Sequence, residues 1–146
     1  MITKVRHTGL VVRDLERSLL FYRDLLGLSS VKRVTEQGSF IENVVGITGA
    51  IIEWEKLAAP DGAVVELLQY HEPFAQPGTD DYFPSDRIGC SHIAFSVSNL
   101  SELYDKLRAL GFHCNSEPQF STDGKVLVMY CHDPDGIIVE LVEELS

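Results

Sequence analysis

No uninterrupted apolar run in the sequence approaches the roughly 18 residues that a membrane helix requires. The opening stretch MITKVRHTG lacks the apolar core of a secretory leader. The expectation is therefore a cytoplasmic protein. Basic residues are scarce, with 12 Lys and Arg against 22 Asp and Glu and a net charge of −10. That balance argues against nucleic acid and anionic membranes as partners, because both select basic patches. It leaves a small anionic substrate open, since one local cation can reverse the field at a site. Cysteine is sparse as well. Cys90, Cys114 and Cys131 are odd in number and form no CxxC pair, which points to buried or half-buried thiols in a reducing compartment and away from a disulfide framework. What remains is ordinary for a globular protein. The 146 residues are 45% apolar and 23% charged, enough for one domain with a sizeable core.

Against that background one phrase stands out because it occurs twice. PDGAVVEL runs from Pro60 to Leu67, and PDGIIVEL from Pro134 to Leu141. Each begins with a Pro-Asp-Gly turn signal. Each continues as an apolar run broken by a single carboxylate, Glu66 or Glu140. A carboxylate in such a run is costly to desolvate unless it has a partner. The repetition predicts a duplicated chain in which both carboxylates point at something.

The chain in order supports the duplication. Residues 5–12 read as a strand with His7, Gly9 and Val11 on one face and Leu10 and Val12 on the other. Asp14 is a suitable N-cap for a helix carrying Leu15, Leu19, Tyr22 and Leu26, which Gly27 would end. Strands are expected over 29–34, 50–57, with Ile52, Trp54 and Lys56 on one side, and 63–70, with a short helix over 39–45 between Gly38 and Gly46. The stretch 71–89 holds Pro73, Pro77, Pro84, Gly78, Gly89 and the pair Asp80–Asp81. It is long for a connection and reads as a linker, part of it lying over a pocket.

The second half repeats the plan. A strand over 91–98 places His92, Ala94 and Ser96 on one face, and a helix follows with Leu100, Leu103, Tyr104, Leu107 and Leu110. Strands are expected over 112–114, 125–132 and 137–142, with 116–124 as a turn-rich connection. His7 and His92, Leu10 and Phe95, Val12 and Val97, and Leu15 and Leu100 all share one offset. The layout is a single domain over 1–146, with module 1 at about 1–71, the linker at about 72–89 and module 2 at about 90–146.

Both modules thus carry a histidine on the first strand and a glutamate on the last. By strand parity these share the side lined by small residues, while the bulky faces suit packing under the helices. Two imidazoles and two carboxylates, His7, Glu66, His92 and Glu140, form a donor set for a divalent transition ion and leave coordination positions for a substrate. His71 and His113 read as exposed or at a loop edge, His132 as structural, Glu42, Glu53 and Glu55 as solvated rather than catalytic, and Trp54, Phe40, Tyr70 and Met129 as either pocket wall or core.

The sequence resembles the vicinal oxygen chelate superfamily, which includes glyoxalase I, methylmalonyl-CoA epimerase, extradiol dioxygenases and fosfomycin- and bleomycin-resistance proteins. The resemblance covers nearly the whole chain. It rests on His7 with Val12-Arg13-Asp14-Leu15, on Phe21-Tyr22 and Leu26-Gly27, on His92, and on Asp133-Pro134-Asp135-Gly136 before Glu140. It implies an α+β fold: tandem βαβββ modules forming an eight-stranded cup-shaped mixed sheet with helices on the outer face. It also implies that His7, Glu66, His92 and Glu140 hold the ion, which could be Zn, Ni, Co, Mn or Fe, and that the protein is a homodimer. Glyoxalase I carries an Arg four residues after its first-strand His, where this chain has Val11.

The activity expected is that of a metal-dependent isomerase or lyase, promoting proton transfer next to a metal-chelated carbonyl or enediolate oxygen of a small substrate. Glu140 or Glu66 would be the catalytic base. The alternatives are an extradiol-type dioxygenase and a non-catalytic ligand- or antibiotic-binding protein of the same fold.

Overall fold

The computed structural model describes residues 1–76 and 81–145. The chain divides into two units, Met1–Pro77 and Gly78–Ser146. Pro77, Gly78 and Asp80 of the expected linker lie outside the described residues.

In the first unit β1 (Thr8–Val11) is followed by a helix, α1 (Leu15–Leu19), that continues as a π-helical turn over Leu20–Leu25. Then come β2 (Ser29–Gln37), a short helix α2 (Ser39–Val45), β3 (Ile51–Ala58) and β4 (Val64–Glu72). The sheet order is β1-β4-β3-β2, with β1 and β4 parallel and the other pairs antiparallel. The second unit has β5 (His92–Ser96), α3 (Leu100–Ala109), β6 (Gln119–Phe120), β7 (Val126–His132) and β8 (Ile138–Glu144). Its order, β5-β8-β7-β6, and its pattern of parallel and antiparallel pairs are the same. The tandem βαβββ plan and the α+β class are as expected from the repeat. The eight strands form two four-stranded mixed sheets, one in each unit.

Alternation along the strands explains the packing. Leu10, Val12, Val65, Leu67 and Leu57 of the strands and their flanks are buried, as are Leu15, Leu19 and Tyr22 of the first helix. Asp14 caps that helix by accepting from the Arg17 amide at 3.0 Å. The starts of α1 and of α3 (Leu100–Ala109) are also tied to the last strand of their own units. Gln69 Oε1 accepts from the Leu15 amide at 2.7 Å, and the Glu143 carboxylate accepts from the Asn99 and Leu100 amides, both at 2.9 Å. Residues 69 and 143 each lie three positions after a repeated glutamate, so the last strand sends one polar group to the helix and, by the period of two, its glutamate to the other face.

Several expectations are corrected. β1 is shorter than the strand read over 5–12, and His7 directly precedes it. Residues 112–114 are not a strand, since only Cys114 makes an isolated bridge, to Cys131. The fourth strand of the unit is instead Gln119–Phe120, inside the stretch expected to be a connection. Of the two readings open for Met129, the structure takes the core, at 2% exposure. Glu55 is not solvated, and Glu53 is only partly so. Glu55 is buried and accepts from the Ser30 hydroxyl, while Arg33 Nε donates to Glu53 at 2.6 Å and His71 Nε2 lies 2.8 Å from the same carboxylate. His71 first, and then Arg33, holds the Glu53 carboxyl below its ordinary value.

Residues 81–83 pack within the second unit. Tyr82 stacks on His113 with ring centroids 4.2 Å apart, and the Phe83 amide donates to the Gly136 carbonyl at 2.9 Å. Gly136 has φ of 84°, and a Cβ there would lie 2.2 Å from the Asp81 carbonyl oxygen. Only glycine fits both demands. Gly136→Ala is therefore expected to destabilise the protein by about 2 kcal/mol or more, read as a lower urea midpoint, together with loss of protease protection around Tyr82.

His132 is 2% exposed and packs against Tyr82 and His113, with Asp133 next to it in sequence. Burial holds its imidazole below the ordinary value of 6.5. The unfolded chain then binds the proton first, so stability falls as pH drops below about 6.5. Urea unfolding at pH 7.5 and 5.5 checks this. His132→Leu is expected to flatten the loss across that window.

Candidate metal and active site

Within each unit the expected histidine and glutamate meet. His7 Nε2 lies 3.3 Å from Glu66 Oε2, and His92 Nε2 lies 2.9 Å from Glu140 Oε2. The register explains why both do so. Gly9 stands opposite Glu66, and Ala94 stands opposite Glu140. Each histidine is two residues before that partner, so each reaches diagonally across a parallel pair to its glutamate. Both of these partners, Gly9 and Ala94, are small residues.

The pairs are shielded but reachable. The imidazoles are 33% and 31% exposed, and the carboxylates 11% and 22%. Two ligand atoms each about 2.1 Å from an ion and at right angles to it sit about 3 Å apart. Both pairs have that bite, and nitrogen with carboxylate oxygen suits a divalent transition ion. Among the described residues no group of three or more His, Cys, Asp or Glu side chains is gathered to hold a metal.

The surroundings of the two pairs differ in ways that periodicity could not show. Opposite Glu66 on β3 is Lys56, whose Nζ is 3.8 Å from Glu66 Oε2. Opposite Glu140 on β7 is Tyr130, whose hydroxyl is 3.4 Å from His92 Nδ1. Burial, and next the Glu140 charge, pushes the Tyr130 phenol above its ordinary value of 10.0, so it remains a proton donor at neutral pH. The Ser91 hydroxyl also contacts His92 Nδ1, at 3.1 Å. Beside Glu66 the same sheet face carries Trp54, Ile52, Leu68 and Tyr70, and α2 covers part of it through Ile41. Trp54 and Tyr70 are thus on the site face, as pocket walls would be. Sequence alternation already put Trp54 and Lys56 on one side of a strand. Only strand pairing put Glu66 next to them.

Comparisons with known proteins identify the family. The model of the glyoxalase/bleomycin resistance protein/dioxygenase superfamily matches residues 4–141. A probable lactoylglutathione lyase from Synechocystis is 32% identical over 141 residues, covering 96% of this chain and 95% of the relative. The lactoylglutathione lyase of Escherichia coli O157:H7 is 31% identical, covering 97% and 93%. Among solved structures, a glyoxalase family protein from Bacillus cereus superposes with a TM-score of 0.89 at 22% identity, covering 100% of this chain and 97% of the other. A fosfomycin resistance protein from Listeria monocytogenes, crystallised with Mn(II) and sulfate, shares the fold at a TM-score of 0.63 and 16% identity, covering 99% and 95%. Among the described residues no helix is long and apolar enough to cross a membrane. Repeat, register and relatives lead to one assignment: the chain belongs to the glyoxalase/bleomycin resistance protein/dioxygenase superfamily.

Proposed function

We propose that this protein is a divalent-metal-dependent lyase of the glyoxalase type, acting on the hemithioacetal of a 2-oxoaldehyde and a thiol. His7, Glu66, His92 and Glu140 would hold the ion, and the working form would be a homodimer. The observation that carries the reading is the pair of equivalent His–Glu contacts, 3.3 Å and 2.9 Å, in the same register of two sheets. The names of the relatives, lactoylglutathione lyases at about 30% identity over nearly the full chain, support the reaction type.

When bound, the ion supplies Lewis-acid polarisation of the substrate carbonyl, which acidifies the adjacent C–H. The protein then has to move one proton between neighbouring carbons, while the hydroxyl proton of the first carbon passes to the oxygen of the second. Glu140 is the group assigned to take that proton from the first carbon and return it to the second. Glu66 already has the Lys56 ammonium beside its carboxylate, whereas no Lys or Arg lies within ion-pair distance of Glu140 among the described residues. Tyr130 and Ser91 orient His92 from its far nitrogen, which steadies the pair that Glu140 belongs to.

The test has two parts. Purified protein is expected to contain a stoichiometric divalent ion by elemental analysis. With methylglyoxal and thiols in deuterium oxide, it is expected to form the 2-hydroxyacyl thioester with partial deuterium incorporation. Metal-replete protein that turns over no hemithioacetal, yet consumes oxygen with a catechol, would favour the dioxygenase alternative.

A further inference from the structure

Lys32 and Lys56 stand directly opposite one another on β2 and β3. Like charges in that relation repel. Both ammonium groups also crowd one indole, with Lys56 Nζ 4.8 Å and Lys32 Nζ 5.9 Å from the centre of the Trp54 ring. A single lysine over an aromatic ring is a common stabilising contact. A second one facing the first adds repulsion, in a chain with only 12 basic residues. The carboxylates on this face do not cancel the pair. Glu66 is 3.8 Å from Lys56 and is shared with His7, and Glu36 accepts from the Trp54 indole N–H at 3.0 Å. No carboxylate lies within ion-pair distance of Lys32 among the described residues. The platform beneath the lysines cannot easily give way, since Trp54 is 9% exposed and packed with Ile41 and Ile52.

These residues are in line with the metal-binding corner. Glu66, Lys56 and Lys32 are register partners in turn across β4, β3 and β2. Adjacent strands are about 5 Å apart, so the two lysines lie roughly 5 Å and 10 Å from the glutamate, strand to strand.

We propose that Lys32 and Lys56 form an anion-binding subsite over Trp54, so that the compound held at His7 and Glu66 carries a carboxylate or phosphate within about 10 Å of its chelating oxygens. An anion placed between the ammonium groups turns their repulsion into two attractions, and the apolar floor strengthens both. The subsite rests on the reading of His7 and Glu66 as metal ligands only for its role in substrate choice. The anion contact itself stands on the lysines and the indole.

The sequence has one tryptophan, so its fluorescence reports on this place alone. The full chain as purified is titrated with inorganic phosphate, with ionic strength held constant by sodium chloride, and its metal content is measured in parallel. The expected result is a saturable change in Trp54 emission. Lys32→Met and Lys56→Met are each expected to raise the half-saturation concentration by about tenfold or more. Lys32→Arg, which keeps the charge, is expected to remain within about twofold of wild type. Lys125→Met, at an exposed lysine of the second unit, is expected to change nothing. A response that never saturates, or that Lys32→Met leaves unaltered, overturns the subsite and leaves the lysines as packing over the ring. Metal binding lost with the phosphate response intact overturns the metal reading instead, so the two failures are distinguishable.

Discussion

Replacing Glu140 with Gln is expected to cut product formation and solvent deuterium incorporation by about 10²–10⁴-fold, the range for removal of a positioned general base. Gln matches Glu in size and keeps an oxygen that can still act as a ligand, but it cannot take a proton at neutral pH. Metal content is therefore expected to fall far less than activity. Glu66→Gln is the necessary comparison. It stands in the same register position of the other unit, beside Lys56, and is expected to weaken metal retention more than it slows proton transfer in fully loaded protein. The two variants separate roles that are chemically identical in the sequence. If Glu66→Gln stopped exchange and Glu140→Gln did not, the base would be Glu66. Unchanged exchange in both would remove the carboxylates from the proton-transfer step altogether.

The second large effect concerns the histidines. His7→Ala and His92→Ala are each expected to lower affinity for a divalent ion by at least about 100-fold, since even outer partners of metal ligands are worth 10–100-fold. Isothermal titration of chelator-treated protein with zinc or nickel measures this directly. The fold is expected to survive. Both imidazoles are about one-third exposed, and substitutions at such positions stay within about 1 kcal/mol. Urea unfolding of the metal-free variants supplies that control. Binding indistinguishable from wild type in both variants would detach the ion, if any, from the two His–Glu pairs. A loss in only one would show that the duplicated pairs no longer contribute equally.

The fold was largely legible because it is written twice. The Pro-Asp-Gly turns, the glycine after each amphipathic helix and the shared offset from His7 to His92 all report local chemistry, and local chemistry survives into the structure. Gly38 and Gly46 bracketed α2 correctly because only its ends needed unusual backbone. The failures arose where distant segments compete. Residues 112–114 have the composition of a strand, yet β7 accepts only a bridge at Cys114 and takes Gln119–Phe120 as its edge partner. Glu55 looks like a surface charge on alternation, and it is buried because Ser30 and Arg33 are there to satisfy it.

For the site, the sequence by itself determined which residues face the same way: His7 with Gly9, His92 with Ala94, and Trp54 with Lys56. Strand parity needs nothing beyond the order of residues. It could not determine which side chains meet, because that depends on how far one strand slides along another, and hydrogen-bonded ladders between distant segments set the slide. Register brought each histidine to its glutamate, set Lys56 against Glu66 but Tyr130 against Glu140, and lined up Lys32 with Lys56. The four candidate donors come from composition and repetition. The inequality between the two copies, on which the assignment of base and anion subsite depends, comes from tertiary pairing alone.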